Sequence, residues 1–389
     1  MHYIQKYISR VTVIICILSV FCFEAVAAQP QVSIVTIGPG DEVYELEGHT
    51  LLRITDGENT DMGISWGVFD FDSPNFIYRF VKGETDYKAV AYPWQYLLQS
   101  YAHSGRSVDE QILNLTQEET ERLIEAVKRN LLPENSTYRY NYVKDNCATR
   151  PLSLVEKAIG GHLSSPVDSI TNHTWRSEMT RFHSYYPWYQ FGIDLALGSG
   201  IDSPITTRET CYSPVNLYSY LSTVNRPDGQ PLVAESRRLL PETLTYESTP
   251  AYFTPLVVSW LFLMLTMWIS MRSIARRQVN RMFTTILYGL SSVAGLVLTF
   301  LIFISVHEAT SPNWLYLWIN PFGLIPTIGI WLKKYNRVVY LYQIVNFAFL
   351  IVLLLIGIFD IQALNPAFYP LIASYLVYSA TYIYMYRCH

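Results

Sequence analysis

The chain has 389 residues and a net charge of −4, and its 28 Lys and Arg side chains are scattered rather than gathered in a stripe. That balance excludes a nucleic-acid surface, which needs clustered positive charge. The composition splits in two. Residues 30–250 are mixed and long enough for a soluble core, whereas 252 onward is dominated by Leu, Ile, Val, Phe, Tyr and Trp.

The first 28 residues read as a secretory signal. Lys6 and Arg10 form a charged start, Val11 to Phe23 a short apolar stretch, and Ala25-Val26-Ala27-Ala28 a small-residue cleavage site before Gln29. Cys16 and Cys22 follow Ile15 and Phe21, too bulky for a lipid-attachment signal. A soluble domain is expected over 29–224, a linker over 225–250 and a membrane block over 251–389.

Val32 to Ile37 is β-branched and reads as a strand, broken by Gly38-Pro39-Gly40. Leu51 to Thr55 and Met62 to Val68 read as a hairpin around the turn Asp56-Gly57-Glu58-Asn59, which brings His49 near Ser65. Phe76 to Phe80 and Tyr87 to Tyr92 read as further strands, and Tyr92 to His103 has helical spacing. Thr116 with Glu119 forms a capping box ahead of a helix that runs to Leu131 and stops at Pro133. Tyr138 to Val143 is expected to be extended. Pro151 to Ile159 reads as a helix closed by Gly160-Gly161, with Cys147 at or near its start. Residues 164–222 read as loop-rich.

Five apolar stretches follow, over 252–271, 283–305, 314–332, 338–358 and 366–386. Arg272, Arg276, Arg277 and Arg281 follow the first, Lys333, Lys334 and Arg337 the third, and Arg387 the fifth. The other loops carry no Lys or Arg. The positive-inside rule therefore puts the C-terminus in the cytoplasm and the soluble domain outside, in agreement with the signal.

The chemistry-bearing residues start with Cys147, in Asp145-Asn146-Cys147-Ala148-Thr149-Arg150. A helix N-terminus favours a thiolate, and a thiolate paired with imidazole attacks carbonyl carbon. Asn146 belongs to the polar lead-in of this site. The alternative is a disulfide to Cys211, since these are the two thiols of the exported domain. His49 opens an apolar strand and is a natural base, but spacing alone does not choose it over His103, His162, His173 or His183. His307 and Glu308, with Asn313 and Asn320 nearby, lie at a membrane edge, where such groups suit a head group or substrate. An ordinary interfacial loop is the other reading. No zinc pattern, phosphate loop or Gly-x-Ser-x-Gly elbow is present, so no cofactor is expected.

Taken in order, Gly48-His49-Thr50-Leu51-Leu52-Arg53, Trp66-Gly67-Val68-Phe69-Asp70-Phe71, Phe80-Val81-Lys82-Gly83 and the Cys147 motif resemble the Lnb-type lipoprotein N-acyltransferases. Asn313-Trp314 and Trp318-Ile319-Asn320-Pro321 are similar to the transmembrane part of that family. The resemblance implies an α+β class. A permuted papain/NlpC-P60-like periplasmic domain would be followed by an all-α five-helix transmembrane domain in the bacterial inner membrane. It also implies Cys147 as acyl-accepting thiol and His49 as its base. The acyl chain would move to the α-amino group of a diacylglyceryl-cysteine on a lipoprotein. The donor expected on this reading is a membrane phospholipid, and the bilayer itself is a partner. Ser65-Trp66-Gly67 departs from the Asn-Tyr-Gly of the family, which leaves Ser65 as the third catalytic candidate. Two further readings stay open: a papain-like peptidase or amidase acting on cell-wall peptide, and a non-enzymatic membrane scaffold.

Overall fold

A computed structural model describes residues 29–161, 163 and 169–388. The expected signal segment and His162 lie outside them. Seven strands form one antiparallel sheet in the order β6-β4-β3-β2-β1-β5-β9. They are β1 (Gln31–Ile37), β2 (His49–Thr55), β3 (Asp61–Val68), β4 (Asp86–Pro93), β5 (Val108–Leu113), β6 (Thr137–Arg139) and β9 (Val233–Leu240). Two more, β7 (Ile170–Thr174) and β8 (Pro204–Thr206), pair separately.

Alternation along the strands buries both faces. Ile34, Leu52, Ile64 and Trp66 share a core with Ala148, Leu152, Val155, Leu123 and Val127. On the other face Val35, Ile37 and Leu51 meet Trp94 and Leu97. The covering helices are α1 (Phe76–Lys82), α2 (Trp94–His103), α3 (Gln117–Leu131) and α4 (Thr149–Ala158). Of these, α1 buries none of its residues. The Thr116–Glu119 capping box is complete at the start of α3.

Three readings of the sequence change. Phe76–Lys82 is a helix rather than a strand, begun by left-handed Asn75 and closed by left-handed Gly83. Residues 164–222 hold helices α5 (Trp175–Phe182), α6 (Pro187–Ala196) and α7 (Pro214–Leu221). Two of these start on proline, which costs nothing at the first helical position. The stretch 225–250 is not a simple linker, because β9 lies within it and completes the sheet beside β5. Its exposed Glu235, Arg237 and Arg238 suit an edge strand.

The C-terminal part contains α8 (Pro255–Arg276), α9 (Arg281–Phe303), α10 (Asn336–Ile358) and α11 (Phe368–Arg387). Three helices, α8, α9 and the one ending at Ile358, are long and apolar enough to cross a membrane. The expected third span, 314–332, is instead a chain of short helical pieces: Trp314–Leu317, Pro321–Gly323 and Leu324–Gly329. Pro321 and Pro326 withhold backbone N–H groups there, so no continuous helix forms. Asn320 accepts from the Phe322 N–H at 3.1 Å and donates to the Tyr316 carbonyl at 3.0 Å, filling the break. Gly295 of α9 lies so close that a Cβ would stand 2.3 Å from the Asn320 carbonyl carbon. Buried Tyr288, Gln343, Asn346 and Ser379 join α9, α10 and α11 through hydrogen bonds of 2.6–3.1 Å, the polar glue that membrane bundles use.

The two parts are tied at several points. Arg176 binds Asp194 at 3.0 Å and Asp202 at 2.6 Å. Asp194 in turn accepts from Asn365 at 2.8 Å and Asp202 from the Ala363 N–H at 3.3 Å. Lys144 pairs with Glu308.

Candidate active site

The Cys147 motif is a folded clamp in which nearly every residue has a separate task. The Asn146 side chain accepts from the N–H groups of Ala148 and Thr149, both at 2.9 Å, and so caps α4. Its amide donates to the carbonyls of Tyr142 (2.7 Å) and Tyr212 (2.8 Å). Asp145 and Arg150 pair in two hydrogen bonds of 2.5 and 2.8 Å, and the Arg150 guanidinium lies over the Tyr138 ring. Ala148 is sealed in the core. What remains is the Cys147 thiol, buried at the start of α4.

The thiol meets the end of β2. The backbone N–H groups of Thr50 and of Cys147 itself, together with the Tyr140 hydroxyl, are near enough to the sulfur to favour its thiolate. The β2–β3 ladder starts only at Leu51–Ser65, one residue beyond Thr50. Burial pushes the thiol up to about 11 despite these donors, and the nearby Glu47 adds to the rise. Cys147 and Cys211 are not joined in a disulfide, so the disulfide reading is not realised. Cys211 is packed in the domain core.

His49 opens β2, directly after Gly48. That glycine has φ 85°, and a Cβ there would stand 2.5 Å from the Ile37 carbonyl oxygen, so Gly-His is a steric requirement. The His49 Nε2 and the Ser65 Oγ share a hydrogen bond of 2.8 Å. Burial, aided by the Arg106 guanidinium, lowers the imidazole to about 3. No hydrogen bond joins His49 to Cys147 among the described residues; the link between them runs through the adjacent Thr50. At neutral pH both groups are therefore uncharged.

Two neighbours had no signal in the sequence. Glu47 is buried, and the Tyr212 hydroxyl donates to it at 3.2 Å. Burial pushes its carboxyl up to about 8, against the pull of the Tyr142 and Tyr212 hydroxyls. Tyr140 stacks on Tyr87 with centroids 4.3 Å apart. Only the tertiary fold brings these residues to the sulfur.

The other histidines stand elsewhere. His183 is buried against Gln190, His173 faces Glu178, and His103 ends α2. His307 donates from Nε2 to the Phe80 carbonyl at 2.8 Å, joining α1 to the segment after α9. Asn313 donates to the Leu195 carbonyl at 3.0 Å and accepts from the Leu315 N–H at 3.1 Å and from Gln362 at 3.2 Å. The Asn313 and Asn320 amides are thus spent largely on backbone, and neither is brought to Cys147.

Residues 23–177 match the Lnb N-terminal periplasmic domain, and residues 247–388 match the Lnb transmembrane domain. The chain belongs to the Lnb family. Membership makes it a membrane protein with a periplasmic N-terminal domain, in a family of lipoprotein-modifying enzymes. His49 and Cys147 both fall inside the first match. No curated protein and no solved structure matches the chain.

Proposed function

We propose that the chain is a lipoprotein N-acyltransferase in which Cys147 carries the acyl group, His49 is the base and Ser65 orients that base. One arrangement carries the reading: His49, bonded through Nε2 to Ser65 at 2.8 Å, opens the strand whose next residue, Thr50, neighbours the buried Cys147 thiol. With His49 Nε2–H donating to Ser65, Nδ1 is left to take the thiol proton. Asn146 acts as a positioning residue through its cap on α4.

The thiolate attacks the ester carbonyl of a membrane phospholipid and a C–S bond forms. The N–H groups of Thr50 and Cys147 lie beside the carbon bound to that sulfur and stabilise its oxyanion. The ester C–O bond then breaks, and the proton on His49 passes to the departing lysophospholipid oxygen. In the second half the α-amino group of a diacylglyceryl-cysteine attacks the thioester. A C–N bond forms, the C–S bond breaks, and His49 carries the amine proton to the sulfur. An ester has become an amide, and the exchange needs no cofactor.

The basic loops after α8 and before α10 support a cytoplasmic C-terminus, with the periplasmic domain facing the outer leaflet of the inner membrane. In this reading His307 and Asn313 hold the membrane part against the domain, and Asn320 fills the break in the segment after α9.

The test is mass spectrometry of lipoprotein N-termini from cells carrying wild type or Cys147→Ala, with labelled phospholipid to trap the intermediate. Wild type should give N-acylated termini and a hydroxylamine-labile acyl group on Cys147, and the variant neither. Full N-acylation by Cys147→Ala overturns the proposal. Labelling of Cys147 by a peptide electrophile with no acyl transfer would replace it with the peptidase reading.

A further inference from the structure

Helix α1 is a two-turn helix with no buried residue. Ile77 is 77% exposed, and Tyr78 and Phe80 are at least half exposed. A helix this short does not hold itself together in water, and its stability has to come from packing. Its contacts point to the bilayer. The Lys82 carbonyl accepts from the Val306 N–H at 2.8 Å, just past the end of α9. The Tyr78 ring lies edge-on to Phe300, with centroids 6.0 Å apart. Phe300 belongs to the last turn of a helix long and apolar enough to cross a membrane. A residue packed on that turn lies at one end of a candidate span. Phe303, Ile304 and Val306 are exposed beside the helix and continue the same apolar surface.

From α1 a row of rings leads inward. Phe80 stacks on Phe76 (6.0 Å between centroids), Phe76 on Phe69 (5.8 Å), and Phe69 meets Tyr87 (5.2 Å). Tyr87 stacks on Tyr140 (4.3 Å), a neighbour of the Cys147 thiol. Phe76, Phe69, Tyr87 and Tyr140 are half-buried rather than sealed. Partly exposed rings that follow one another from the end of an apolar helix towards a nucleophile match a long apolar ligand.

We propose that α1 is embedded in the outer leaflet and that this aromatic row is an acyl-chain-binding track, along which a lipid tail leaves the bilayer and reaches Cys147. The track's role in catalysis rests on the reading of Cys147 as the acyl acceptor. The embedding of α1 and the binding of a tail do not.

The full-length protein is reconstituted in phosphatidylethanolamine–phosphatidylglycerol vesicles. In a Cys388→Ser background, a nitroxide at Ile77→Cys should collide with oxygen in preference to a water-soluble nickel chelate. Preference for the chelate overturns the embedding. Separately, Cys147→Ala protein is irradiated with phosphatidylethanolamine carrying a diazirine on its acyl chain. Label should appear on the peptide spanning 69–80. Label confined to α8–α11, or label on 69–80 only from a photoreactive lipoprotein peptide, overturns the track.

Phe76→Ala should raise the KM for long-chain phospholipid about tenfold, the loss of roughly one buried ring contact. Cys147 alkylation by iodoacetamide should keep its wild-type rate in that variant. An unchanged KM counts against the track. If the diazirine label appears but wild type never forms an acyl-enzyme, the function fails while the binding site stands. If the acyl-enzyme forms but the label is absent, the reverse holds.

Discussion

His49 and Ser65 lie diagonally across β2 and β3, with Nε2 and Oγ 2.8 Å apart. The register Leu51–Ser65 makes this contact, because side chains two residues apart on paired strands share a face. Ser65→Ala should leave the fold intact and slow single-turnover acylation of Cys147 about tenfold or more, the scale of a misaligned base. Ser65→Asn should recover part of that loss, since an amide oxygen can also accept from Nε2. A Ser65→Ala rate within twofold of wild type would remove Ser65 from the mechanism.

The uncharged resting pair has a distinct pH signature. With the thiol near 11 and the imidazole near 3, no thiolate–imidazolium pair exists at neutral pH. Iodoacetamide alkylation of Cys147 should rise about tenfold per pH unit from 7 to 9, following the thiolate fraction. A rate plateau below pH 7 would reveal an ion pair instead. Stability follows the same shifts. As pH falls from 6.5 towards 3 the unfolded His49 takes up a proton that the folded form refuses, and stability drops. As pH rises from 9 towards 11 the unfolded thiol ionises first, and stability drops again.

Glu47 should titrate against stability in the middle of the range. Its carboxyl stays protonated in the fold until about pH 8, while the unfolded chain ionises near 4.5. Stability is therefore lost as pH rises from 4.5 to 8. Glu47→Gln removes that term, so its unfolding temperature should fall less than that of wild type between pH 5 and pH 8. Above pH 8 the variant should also alkylate faster at Cys147, because the charge that opposes the thiolate is gone. Identical profiles for the two proteins would mean that Glu47 is ionised in the fold.

Asn146→Ala should be destabilising by about 2 kcal/mol, since it strips a helix cap and leaves the Tyr142 and Tyr212 carbonyls unpaired. Asn146→Asp keeps the cap and loses the two donors, so it should fall between the two. Thermal unfolding in detergent ranks the three proteins. An alanine variant as stable as wild type would show that the clamp is redundant.

The parts of the molecule that were legible in the sequence are those set by local rules. The β2–β3 hairpin follows from a turn signal between alternating strands, and the Thr116 cap from its Glu119. The placement of Cys147 at a helix start follows from the same kind of reasoning. Helix α1 was not legible, because Phe-Ile-Tyr-Arg-Phe has strand-like composition and its helical state depends on contacts with residues 306 and 307, far along the chain. Strand β9 looked like a linker because edge strands carry the charges that linkers carry. The roles of Thr50, Tyr140 and Glu47 at the sulfur arise from backbone direction and packing, neither of which leaves a spacing in the sequence. Asn313 and Asn320 had the right chemistry for a ligand, and the broken segment between α9 and α10 claims it for backbone.

The β9 strand bears on how the enzyme meets its substrates. The chain leaves the sheet at Leu240, and by Thr249 it is already bonded to Tyr185, just ahead of α8. A second attachment lies at Lys82 and Val306, and a third at Asp194 and Asn365. Attachments at three separate places in the chain restrain the domain against the membrane part. The thiol is thereby held in a fixed relation to the apolar helices, and a substrate drawn from a bilayer would have to reach it without the domain swinging down to meet it.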